Sequence, residues 1–271
     1  MTQKKRKWVQ CVALGLVLCM LTGCAVWQAP QTQTADPTEA PPEETKATVP
    51  SNPYTAEDFV TEGEYVDCIT GPSQFGIDVS YWQGDIDWQQ VKAAGVEFAM
   101  IRVGWRGSEK GVLDIDEYAQ QNYEGARAAG IKVGCYFFSQ SISTQEAVEE
   151  AEYVLSLIDG WQLDMPVVYD WEYISADSRT GNMDARLLTD CTKAFCQRIR
   201  QAGYTPMIYF NADQSHKQMY LEELTDYPFW LAMYESEMDY PYKIDMWQYS
   251  NTGSVPGIDG NVDLNLYFTY E

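Results

Sequence analysis

The chain has 271 residues, with 18 basic residues, 40 acidic residues and a net charge of −22. That charge disfavours nucleic acid and anionic surfaces as partners, so affinity for a polymer must come from short-range contacts. The single histidine and the absence of a nucleophile-elbow sequence leave no Ser-His-Asp arrangement in view and exclude a His-rich metal site.

Residues 1–23 open with Lys4, Lys5, Arg6 and Lys7, continue as an apolar run from Val9 to Leu21 and end in Leu-Thr-Gly before Cys24. The run is too short for a spanning helix, which needs about 20 residues, and it fits a secretory signal. The Leu-Thr-Gly-Cys ending resembles a bacterial lipobox. This implies a lipidated Cys24 and an extracytoplasmic protein anchored to the cell membrane. Residues 24–70 are rich in Pro, Thr and Glu and read as a disordered linker. Forty such residues reach on the order of 100 Å when extended. The remainder, 71–271, is long enough for one α/β domain.

Within that domain strands and helices alternate. Strands are expected at 75–79, 98–103, 131–138, 166–172 and 206–210, from their short apolar runs. Between them lie helical stretches at 87–95, 118–130, 144–158 and 187–203, three of which close on Ala-Gly or Ala-Ala-Gly. In the third helix Val148, Ala151, Val154 and Leu155 mark the expected buried face. Three further strands, at 229–234, 244–249 and 262–266, follow with short connections. The pattern is an α/β fold, an irregular TIM-like β/α barrel with five β/α units followed by three further strands. No glycine-rich phosphate loop supports the open-sheet alternative. Cys68, Cys135, Cys191 and Cys196 show no Cys-x-x-Cys spacing and are expected unpaired.

Asp170 and Glu172 stand two apart at the end of the fourth strand, so their side chains share one face. Tyr169 and Trp171 alternate with them and should face the helices. In a barrel of this kind the strand ends form the active face. Asp78, near the end of the first strand, and Asp263, in the last, would join the pair there. Tyr136, Tyr209, Trp230, Tyr234, Trp247 and Arg102 lie near strand ends, where aromatic faces can stack on sugars or pack the core equally well.

In order along the chain, 76–84, 86–88, 101–105, Asn122, 126–130, 134–139, Asp170 with Glu172, 203–211, 230–234, 247–249 and 262–265 resemble glycoside hydrolase family 25. The resemblance covers about residues 75 to 270. It implies a lysozyme-type muramidase that cuts the β-1,4 bond between N-acetylmuramic acid and N-acetylglucosamine in peptidoglycan, as a monomer without cofactor or metal. It implies Glu172 as general acid, Asp170 as its partner, and Asp78 and Asp263 as flanking acids. Acetamido groups on the substrate favour a substrate-assisted route, although strand spacing alone also admits direct attack by Asp170. A sugar-binding barrel without catalysis and a chitinase-like N-acetylhexosamine hydrolase are the competing readings.

Overall fold

A computed structural model describes residues 47–235 and 238–270. The signal segment, Cys24 and the linker as far as residue 46 lie outside the described residues.

The expected linker does not extend to residue 70. Strands β1 (Phe59–Glu62) and β2 (Tyr65–Cys68) pair antiparallel as a hairpin. The turn uses Gly63 at φ 65°, a left-handed backbone that glycine adopts without cost. Average polarity suggested disorder, but a few apolar side chains suffice to dock the segment. Val66 is buried, and Phe59 lies edge-on to Trp247 with ring centroids 5.2 Å apart. Tyr54 packs against Phe268 at 4.9 Å.

The domain proper begins with β3 (Ser73–Val79). Helix α1 (Trp88–Ala93) follows, its amide ends capped by the Asp87 carboxylate. Then come β4 (Phe98–Arg106), a short antiparallel addition β5 (Leu113–Ile115), and α2 (Ala119–Ala128). Next are β6 (Lys132–Ser139), α3 (Thr144–Leu157), β7 (Val167–Trp171), α4 (Ala185–Gln201) and β8 (Pro206–Asn211). Ser143 and Asp184 cap α3 and α4. A short α5 (Ala212–Lys217) precedes β9 (Phe229–Ala232), β10 (Met246–Gly253) and β11 (Val262–Phe268).

Strands β3, β4, β6, β7, β8, β9 and β10 follow one another in parallel. Strand β11 runs antiparallel to both β10 and β3 and closes the barrel. Antiparallel neighbours need no crossover helix, which is why helices fade in the last third.

Apolar side chains form two cores. One lies between the barrel and its helices; there Tyr169 faces α4 through Phe195, and Trp171 is buried beside them. The other, with Met100, Val168, Met207, Trp230 and Met246, fills the barrel interior. Gly134 is required in this interior, because a Cβ there would stand 2.7 Å from the Met165 Cβ, which cannot swing aside. The packed interior leaves the barrel open at the carboxyl ends of its strands.

The buried face of α3 differs from expectation. Ala147, Glu150, Ala151 and Val154 face inward, while Val148 is exposed. Ala151 and Val154 are as expected and Leu155 packs partly buried against the core; counting apolar residues alone missed Glu150, which is charged yet buried, and put Val148 in its place. Arg106 Nε and Ser139 Oγ, each 2.6 Å away, donate to its carboxylate and compensate the burial. Cys68, Cys135, Cys191 and Cys196 are free thiols.

Candidate active site

The register of the sheet brings the acids together. Asp170 on β7 lies between Phe138 of β6 and Tyr209 of β8. Asp78 on β3 stands directly opposite Asp263 on β11. Glu172 follows the last residue of β7 and keeps its strand parity. All four carboxylates line one cavity of about 400 Å³ at the strand ends.

Asp78 is held by a directional network. Its Oδ2 accepts from Gln248 Nε2 at 2.7 Å and from Asn265 Nδ2 at 2.8 Å. Gln248 Oε1 in turn accepts from the hydroxyls of Tyr209 at 3.1 Å and Tyr234 at 2.7 Å. Asn265 Oδ1 accepts from Trp230 Nε1 at 2.9 Å. The carboxylates of Asp78 and Asp263 also share a hydrogen bond, which requires a proton on one of them. Burial pushes Asp78 up to about 6, against the pull of its amide donors. Burial, then the charges of Asp78 and Glu172, push Asp263 up to about 8. The pair therefore holds a proton at neutral pH.

The other two acids also bind protons more tightly than usual. Burial raises Asp170 well above the carboxylate range, and the charges of Glu172 and Asp78 add to it. Glu172 is raised by burial and then by Asp78. Among the described residues, none gives buried Asp170 Oδ1 a hydrogen bond.

The backbone beneath Glu172 has left the strand ladder, and two buried glutamines replace the lost hydrogen bonds. Gln140 Nε2 donates to the Glu172 carbonyl at 2.8 Å, and Gln214 Nε2 donates to the Trp171 carbonyl at 2.7 Å. Gln140 Oε1 accepts from Thr180 Oγ1 at 2.9 Å, which ties the following loop to the same side chain.

Of the aromatic residues picked out in the sequence, Tyr136, Tyr209, Trp230 and Tyr234 line the cavity. Trp230 is 1% exposed and forms its floor, edge-on to Tyr209 at 5.0 Å. Tyr234 is 48% exposed and forms its rim. Trp247 is not brought there. It points out of the barrel, donates to the Met233 carbonyl at 2.8 Å and packs under the hairpin, because the inward position on β10 falls to Gln248. Arg102 reaches the cavity but is neutralised by Asp116, 2.9 Å from its Nη2, rather than by Asp78 or Asp263. Its guanidinium sits over Tyr81 and Trp105, at 4.7 and 5.1 Å.

Sequence reasoning missed Gln248, Asn265, Gln140, Gln214 and the exposed rim residue Trp82. Asn265 was reachable, since it lies two residues from Asp263 on one strand face. The glutamines carry no signal of their own; only the pairing of distant strands shows what they hold.

Carboxyl groups with raised proton affinity, gathered in an aromatic-lined cavity at the strand ends of a β/α barrel, are the equipment of a glycoside hydrolase. The sequence model of Glycosyl hydrolases family 25 matches residues 77–258, and the chain belongs to that family. It is 31% identical over 206 residues to Lysozyme M1 of Streptomyces globisporus, covering 71% of this chain and 67% of the relative. The solved bacterial lysozyme of Streptomyces coelicolor superposes with a TM-score of 0.58 at 28% identity, covering 74% of this chain and 94% of that one. The modular autolysin LytC of Streptococcus pneumoniae, solved with a synthetic peptidoglycan ligand, shares the fold with a TM-score of 0.65 at 22% identity. The match covers 78% of this chain and spans about half, 52%, of LytC.

Proposed function

We propose that the protein is a muramidase that hydrolyses the β-1,4 bond between N-acetylmuramic acid and N-acetylglucosamine in peptidoglycan. The observation that carries this reading is the four-carboxylate cavity on a family 25 barrel, with Asp170 Oδ1 buried in it and given no hydrogen bond by the described residues. The lysozyme names of the relatives support the substrate.

In this mechanism Glu172 donates its proton to the glycosidic oxygen as the bond to the anomeric carbon breaks. Burial, and then the charge of Asp78, raise the proton affinity of Glu172, as a general acid requires. Asp170 Oδ1 accepts the N–H of the substrate's acetamido group. The acetamido oxygen then attacks the anomeric carbon and closes a cyclic oxazolinium. Glu172, now a carboxylate, takes a proton from water, which opens that ring and completes hydrolysis with retention. The hydrogen-bonded Asp78–Asp263 pair keeps the far wall of the cavity from carrying two full charges.

Glu172→Gln should leave folding and glycan binding intact and lower turnover about a thousandfold on purified peptidoglycan. Turnover near wild type would remove Glu172 from its role. New reducing ends carrying muramic acid support the muramidase reading, whereas glucosamine ends mean a chitinase-like enzyme. A covalent glycosyl-Asp170 species trapped with a slow substrate would replace the acetamido route by direct attack.

The Leu-Thr-Gly-Cys24 sequence supports attachment to the outer face of the cell membrane through a lipid, which favours action on the producing cell's own wall. Wild type should partition with membranes and take up labelled fatty acid, and Cys24→Ala should do neither. Equal labelling of the two would overturn the anchor.

A further inference from the structure

A second cavity, of about 240 Å³, opens beside the acid-lined one, and Tyr234 forms a wall of both. Its opposite wall is the β1–β2 hairpin, through Phe59, Thr61, Glu64 and Val66. The tip of the hairpin is fixed to Ser254: Glu64 Oε2 accepts from the Ser254 amide at 2.9 Å, and the Tyr65 hydroxyl donates to its carbonyl at 3.1 Å. Ser254 follows the last residue of β10, a strand parallel to those whose ends carry Asp170 and Glu172. The hairpin tip therefore stands at the active end of the barrel. It also precedes residues 77–258, the stretch that the family model matches.

We infer that the hairpin and Tyr234 form an added subsite for a neutral N-acetylated sugar of the same glycan strand whose scissile bond lies among the acids. This rests on the muramidase reading. Among the described residues, the charged ones lining the cavity are Glu64 and Glu235, and no lysine or arginine lines it. A lactyl or stem-peptide carboxylate would be repelled there, whereas neutral sugar hydroxyls and an amide N–H can donate to the carboxylates. The exposed Tyr234 ring offers a face to sugar C–H groups. Because Tyr234 is shared, a strand leaving the catalytic cavity on this side passes the ring that also lines the second.

The test uses peptide-free glycan strands of four and eight sugars, with tryptophan placed on either wall of the second cavity by Thr61→Trp or Ser250→Trp. Thr61 is exposed, so its replacement does not disturb a core. Wild type should show a higher kcat/KM on the longer strand. Each variant should lose roughly tenfold on the eight-sugar strand and stay within about twofold of wild type on the four-sugar strand. Equal losses at both lengths, or no loss at either, would overturn the subsite. Calorimetric binding of both strands, measured in a Glu172→Gln background, separates the two claims. If wild type cuts neither strand, the muramidase reading fails. Tighter binding of the longer strand that both tryptophan variants abolish would then still uphold the subsite, and binding that ignores strand length would overturn it.

Discussion

Asp78 and Asp263 show how a single cross-strand pairing sets chemistry. Facing each other across β3 and β11, they share a hydrogen bond that needs a proton. Both have native values above the ordinary 3.8, at about 6 and about 8. A carboxyl raised in the folded state binds more protons there than in the unfolded chain, so its contribution to stability is full below the unfolded value. It is lost as pH rises through the folded value. Thermal stability should therefore fall between about pH 4 and pH 8, and Asp263→Asn should flatten that fall. Melting temperatures of the two proteins across this range decide it; parallel curves would mean that the pair holds no extra proton. At this scale the sequence named all four acids that the cavity gathers, because strand parity is a local property. Parity gave no way to choose between Trp247 and Gln248 as the inward residue, since their strand had no certain starting phase.

At the scale of elements, the end of β7 is the part that positions Glu172. The carbonyls of Glu172, just beyond the ladder, and of Trp171, its last residue, are taken up by Gln140, following β6, and Gln214, on α5. Gln140→Ala would leave the Glu172 carbonyl without its buried donor, at a cost of about 1–3 kcal/mol, and leave the Thr180 hydroxyl only Ser178 Oγ, 3.1 Å away. Glu172 would also lose its fixed backbone. The expected result is a kcat reduced about tenfold with KM little changed, checked by steady-state kinetics alongside a denaturation curve. A rise in KM alone would place Gln140 in substrate binding instead. The helices themselves were legible from their caps and periodicity. On α3 the periodicity found Ala151, Val154 and Leu155 but not Glu150, which is buried through partners on β4 and β6 that a helical pattern does not contain.

For the whole domain, the hairpin before β3 belongs to the folded unit rather than to the tether. It covers Trp247 and Phe268 with Phe59 and Tyr54. A chain starting at residue 71 should therefore be less stable than one starting at 47, by about 3 kcal/mol or roughly 6–12 °C in Tm. Identical melting of the two would return the segment to the role of spacer. Composition read these residues as linker because it averages over polarity, while docking depends on a few rings and the surface awaiting them.

The sequence by itself determined the strand and helix order, the paired acids on β7 and the family, because periodicity, capping and motif order are written along the chain. The tertiary structure alone decided that Asp78 faces Asp263, that Gln248, Asn265 and two further glutamines hold the acids and their backbone, and that residues 47–70 build a wall beside the cavity. Each of these depends on which distant strands become neighbours, and barrel closure, not local propensity, fixes that.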